Sequence, residues 1–135
     1  MKYNLLISSF IEKEFFKKLK NFDSRINVIY KPELINAPRF PSDHTGNKIK
    51  RSKEEINIWK KYLAEADILF DFDRSADPNL DILAPNVKWV QATSAGIGSY
   101  LRKNEYIKKM PNTIFTTASG VHSIPLAEFC IMAIL

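Results

Sequence analysis

The chain has very little cysteine, few glycines and no long apolar run, and each scarcity excludes something. Cys130 is the only cysteine among 135 residues, so an internal disulfide and a Cys-rich zinc site are both ruled out. Four glycines leave little room for glycine-rich loops, and two histidines, His44 and His122, leave little for a histidine metal site. Neither histidine has a Ser or Cys nucleophile at a diagnostic spacing. The most apolar stretch is the segment from Ile124 to Leu135, whose only charge is Glu128. It is shorter than the roughly twenty residues a membrane span requires, so no membrane partner is expected. The N-terminal run LLISSF is short and meets charged residues at once, which is not the pattern of a signal peptide. The expected setting is the cytoplasm.

What is present is ordinary for a globular chain. An apolar fraction of 45% and a charged fraction of 26% are compatible with one packed domain and argue against disorder. A net charge of +5 raises the question of nucleic acid. The lysines and arginines are spread along the chain among acids, however, and their densest stretch, NKIKRSK, holds no aromatic on which a base could stack. A solvated basic surface accounts for the charge, and no nucleic-acid partner is expected.

Short apolar runs alternate with helical patterns. Tyr3 to Ser8, Arg25 to Tyr30, Ala66 to Phe72, Lys88 to Ala92 and Thr113 to Thr117 read as buried parallel strands. Ile11, Phe15, Phe16 and Leu19 form a helical stripe. Ser52-Lys53-Glu54-Glu55 is a capping box that opens a helix with Ile56, Trp59, Leu63 and Ala66 inward. Asp77-Pro78 opens a short helix, and Asn104 to Met110 reads as a short surface helix. The resulting fold class is α/β, with a five-stranded parallel sheet in a flavodoxin-like order. Residues 31–51 carry Pro32, Pro38, Pro41 and Gly46 and are expected to form a long functional or mobile loop.

Ligands of such sheets bind outside the carboxyl ends of the strands. Here those ends are Ser8-Ser9, the 31–51 loop, Asp71 to Ser75, Thr93 to Ser99 and Ala118 to Ser123. Gly96-Ile97-Gly98 begins like a dinucleotide fingerprint, but the third glycine position is Leu101 and no acid follows at the required distance. The turn could instead offer bare backbone N–H groups to a small carboxylate or phosphate. It could equally be a strand-to-helix turn that uses glycine for backbone reasons. Asp43-His44 could form an acid/base couple or sit idle in solvent. Asp71 and Asp73 could hold Mg²⁺, although strand termination is the simpler reading because no further acid cluster accompanies them. Cys130, with no nearby charge, reads as an inert packing residue.

Taken together, VKWVQATSAGIGSYL and TIFTTASGVHSIPLAEFCIMAIL resemble the D-isomer-specific 2-hydroxyacid dehydrogenases. In that family a strand ends in a Ser/Thr-x-Ala/Val-Gly-Val/Ile turn, here Thr93-Ser94-Ala95-Gly96-Ile97. The next strand leads through a small-polar loop to a helix bearing Ala-Glu, here Ala127-Glu128. The family pattern continues with Asp where this chain has Gly98. Residues 31–66, with PSDHTG and Trp59, resemble one branch of the family.

The resemblance implies a flavodoxin-like substrate-side domain over residues 1–122, and a crossover helix starting at Ser123 that leads to a Rossmann domain absent from these 135 residues. It implies reduction of 2-keto acids or oxidation of 2-hydroxy acids with NAD or NADP. No cofactor is expected to bind this chain by itself. The family's clamp arginine, general-acid histidine and supporting glutamate lie beyond the crossover, so no catalytic residue is inherited here and the chain is expected to be inactive alone. Substrate-binding positions carried over are Ser94, Ala95, Gly96 and Ile97, with His122, Ser123, His44 and Arg51 as cleft-lining candidates. Expected partners are a small 2-keto or 2-hydroxy acid, the absent Rossmann domain and a second copy of the chain. The alternative is a free-standing flavodoxin-like module that binds a ligand or another protein. Phe129, Ile131, Met132, Ile134 and Leu135 cannot all face one small domain, so either a dimer or a helix folded back onto the sheet is expected.

Overall fold

A computed structural model describes residues 2–41, 43, 45–76 and 78–135. His44 lies outside the described residues. The elements run β1 (Tyr3–Ile7), α1 (Lys13–Lys20), β2 (Ile26–Tyr30), a 3-10 turn (Pro32–Leu34), α2 (Lys53–Glu65), β3 (Ile68–Phe70), α3 (Leu80–Leu83), β4 (Trp89–Gln91), α4 (Gly98–Lys103), α5 (Tyr106–Lys109), β5 (Ile114–Thr116) and α6 (Ser123–Ile134). All five strands are parallel, in the order β2-β1-β3-β4-β5, which is the flavodoxin-like order.

The register explains the core. Ile29, Leu6, Leu69, Val90 and Phe115 are partners in succession across the sheet, one from each strand. Leu6, Leu69 and Val90, on the three central strands, are fully buried, and the edge residues Ile29 and Phe115 pack against them half-buried. A parallel sheet needs its connections packed on its faces, so these strands are apolar. Trp59 and Leu63 of α2 and Ala66 after it belong to the same core.

Sequence patterning placed these elements with some differences. Ser52 caps α2 as expected: its hydroxyl accepts from the Glu55 amide, and its own amide donates to Glu55 Oε2. Ile56, expected inward, is exposed. No residue of α1 is buried, and Phe15 stands outside beneath Lys18. The short surface helix expected over Asn104–Met110 is the single turn α5, with Ile107, Lys108 and Lys109 exposed and Tyr106 anchoring it in the core. Asp77, expected to open a short helix with Pro78, lies outside the described residues, and the helix that follows runs Leu80–Leu83. Residues expected to form only a turn contain α4.

The proline-rich loop is built rather than loose. An antiparallel bridge joins Ala37 to Asn47. Gly46 has φ +64°, and a Cβ there would lie 2.6 Å from the Ala37 carbonyl oxygen, so both conformation and space demand glycine. Asp43 is buried and accepts from Arg39 Nε at 2.7 Å and from the amides of Arg39, Thr45 and Gly46. The Arg39 guanidinium and these amides hold its carboxyl well below the usual range. Asp43 thus clasps the loop; its neighbour in the acid/base couple read from the sequence, His44, lies outside the described residues.

α6 is exposed along its whole length. It does not fold back onto the sheet, which removes one of the two arrangements expected for it. Cys130 is exposed there as well, so it is not a packing residue. No described helix is long and apolar enough to cross a membrane.

Candidate functional site

In the order β2-β1-β3-β4-β5 the chain winds one way from β1 to β2 and the other way from β3 onward. The crevice at such a reversal, at the carboxyl ends of the strands, is the usual ligand position. A cavity of about 660 Å³ lies there, bounded by Ser8 and Ser9 after β1, Asp71 to Ser75 after β3, Thr93 and Ser94 after β4, and the 36–51 loop.

The segment after β3 shapes it. Asp71 is buried and its φ is +67°, a left-handed conformation that few residues other than glycine, asparagine and aspartate take. The turn is held from both sides. Ser8 Oγ donates to the Asp71 carbonyl at 2.6 Å, and the Asp71 amide donates to the Gln91 carbonyl at 2.7 Å. Thr93 Oγ1 donates to Asp71 Oδ2 at 2.8 Å, while Asp71 Oδ1 is buried without a partner. Phe72 then turns into the core, with ring centroids 4.8 Å from Tyr100 and 6.1 Å from Phe115.

Asp73 is buried and saturated. Trp59 Nε1 donates to Oδ2, and the Ser75 amide and hydroxyl donate to Oδ1 at 3.0 and 2.6 Å. Arg51 is fixed above this group. Its Nε donates to the Leu34 carbonyl at 2.7 Å, a terminal nitrogen donates to Ser75 Oγ at 2.7 Å, and the guanidinium lies 4.7 Å over the Trp59 ring. Burial pushes the Arg51 pKa down from its ordinary value, and the charges of Asp73 and Glu55 oppose that shift. Arg74 lies 4.6 Å over the Tyr100 ring. Among the described residues no group of three or more His, Cys, Asp or Glu is arranged to hold a metal ion.

Of the residues singled out by sequence, Arg51 and Ser94 line the cavity. Ala95 and Gly96 continue the same turn, exposed, and Ile97 is buried in the core. No amide from Ser94 to Ile97 has an acceptor among the described residues. Neither Gly96 nor Gly98 has positive φ, a Cβ on Gly96 would meet nothing within 4 Å, and on Gly98 only the end of Arg102. The fold itself thus makes no demand for glycine at position 96. His122 and Ser123 are exposed at the start of α6 and do not line the cavity; Ser123 Oγ donates to the Gly120 carbonyl.

Asp71 and Asp73, considered from the sequence only as Mg²⁺ ligands or strand terminators, also line the cavity, as do Lys48, Arg74 and Ser75, to which the sequence assigns no role. The rule that ligands sit at carboxyl ends of strands pointed to the Asp71–Ser75 segment, but nothing in the sequence signalled the left-handed turn. Comparison of the chain with family models, with curated proteins and with solved structures finds no match.

Proposed function

We propose that this chain is the substrate-side domain of an NAD(P)-dependent D-2-hydroxyacid dehydrogenase. The observation that carries the reading is the turn after β4. Its amides have no acceptor among the described residues, its side chains are small, and its Gly96 serves no conformational or packing need. A glycine that the fold does not require is explained by close approach of a ligand to the backbone, and successive free N–H groups suit a carboxylate. Arg51 and Ser94 share the adjoining cavity with Arg74 and Lys48, so the site attracts a small anion.

The chain does not itself fit a dinucleotide. The third glycine position of the fingerprint is Leu101, which is buried in the core, and α4 behind the turn is only six residues long. No step through a nicotinamide is assigned to these residues. Their part is to bind and orient the acid, while hydride transfer and proton donation belong to a Rossmann domain seated against α6. The exposed apolar residues of α6, among them Phe129, Ile131 and Met132, supply the surface for that seat.

The same exposed helix also favours a second reading, a protein-binding module of flavodoxin-like fold. The two readings part in a titration of the ¹⁵N-labelled chain with D-lactate. The dehydrogenase reading expects amide shifts concentrated at residues 94–97 and no quenching or enhancement of NADH fluorescence. Tight NADH binding by this chain, or lactate shifts scattered away from that turn, would overturn it.

A further inference from the structure

The unpaired oxygen of Asp71 calls for a ligand that brings its own hydrogen-bond donor. A buried carboxylate oxygen without a partner is destabilising, so the chain carries an uncompensated polar group at Asp71. Asp71 lines the cavity at the carboxyl ends of the strands, and the buried Ser9 hydroxyl, also unpartnered, lines the same space. Asp73, two residues on, shows the contrast: its two oxygens are taken up by Trp59 and Ser75, so it has a structural role. Among the described residues the Asp71 carboxylate is held by Thr93.

We propose that Asp71 is a ligand-binding residue, its free oxygen accepting the 3-hydroxyl of a short 2,3-dihydroxy acid whose carboxylate lies on the turn after β4. The inference rests on the carboxylate-binding reading of that turn and adds the identity of the group next to the reacting carbon. The geometry follows from the sheet. Thr93, which holds Asp71 Oδ2, immediately precedes Ser94, Ala95 and Gly96. Phe70 and Gln91, the residues that end β3 and β4, are direct partners on neighbouring strands. Asp71 and Ser94, brought to adjoining strand ends in this way, line the same cavity.

Charge selects the ligand further. The cavity is lined by Lys48, Arg51 and Arg74 against Asp71 and Asp73, three positive charges against two negative among the described residues. One positive charge remains, which a monoanion neutralises. A zwitterionic amino acid would place an ammonium on Asp71 but leave that surplus uncompensated, so a hydroxyl is the favoured donor.

The test compares D-glycerate with D-lactate, which lacks only the 3-hydroxyl, by amide-shift titration of the 135-residue chain and of D71N. Asparagine tolerates the left-handed conformation and can keep the Thr93 bond through its oxygen, while its NH₂ cannot accept a hydroxyl hydrogen. Circular dichroism checks that D71N is folded. A hydrogen bond to a charged acceptor predicts that D-glycerate binds the wild-type chain about tenfold or more tightly than D-lactate. In D71N the two acids should bind alike. Equal binding of both acids to the wild-type chain, with shifts still at residues 94–97, overturns this inference and leaves the dehydrogenase reading standing. A preference for D-glycerate that survives in D71N also overturns it. Failure of either acid to move the 94–97 amides overturns both.

Discussion

Replacing Trp59 by phenylalanine tests the frame of the site most directly. The indole is buried, and among the described residues its N–H is the partner of Asp73 Oδ2, on a carboxylate that is itself buried. Phenylalanine keeps an aromatic ring in the core but strands that oxygen, because Ser75 serves only Oδ1. Losing a hydrogen bond to a charged group costs about 1.5–3 kcal/mol. The smaller ring leaves a void worth about 1 kcal/mol more. The sum, about 2.5–4 kcal/mol, corresponds in a chain of this length to a drop in Tm of roughly 8–16 °C. The assay is urea unfolding followed by far-UV circular dichroism, in a double-mutant cycle with Asp73→Ala that separates the pair from the packing. We expect a coupling above about 1 kcal/mol, as for residues joined in one hydrogen-bonded network. A coupling below about 0.5 kcal/mol would show that the indole merely fills space, and the account of how Arg51 and Asp73 are positioned would fail with it.

Three further outcomes are expected. Gly46→Ala should destabilise by at least about 1–2 kcal/mol in urea, from the left-handed backbone alone before the clash with Ala37 is added, whereas Gly96→Ala should leave stability unchanged and weaken carboxylate binding. Acid should unfold the chain through its anchored carboxylates. Asp23, clasped by Arg25, is lowered from 3.8 to about 2, and Asp43 is also lowered; in this window the unfolded chain binds more protons than the folded one. Their stabilisation is thus complete above about pH 5 and is lost as pH falls through about 4 to 2 and lower, and Asp43→Asn should flatten that decline in a pH series of urea midpoints. Replacing Phe129 and Met132 of α6 by glutamine should change stability by less than about 0.5 kcal/mol, since both are exposed, while reducing the mass seen by light scattering. Marked destabilisation, or an unchanged mass from a self-associating chain, would refute the view that α6 presents a contact surface.

Local chemistry made several features readable without coordinates. Runs such as RINVIY and ADILFDF carry their strand identity in β-branched and aromatic residues, and the parallel order follows from their alternation with helical patterns. Ser52 and Glu55 are three residues apart and can only satisfy each other and the helix start, so the capping box was legible. α4 was not, because Gly98 and Ser99 are weak helix formers and its stability comes from burying Leu101. Phe15 and Ile56 carried the right periodicity but face solvent, since periodicity states which residues share a face and not how much of that face a neighbour covers.

The site divides the same way. The sequence by itself determined that small, polar and glycine residues would gather at the carboxyl ends of the strands, because turns after strands in an alternating α/β chain fall on one edge of the sheet. Only the tertiary structure brought Arg51 onto Ser75, 24 residues away, and Thr93 onto Asp71, 22 residues away. It alone turned Asp71 left-handed and left one of its oxygens without a partner, for those are consequences of neighbouring strands gripping the same turn and no local pattern encodes them.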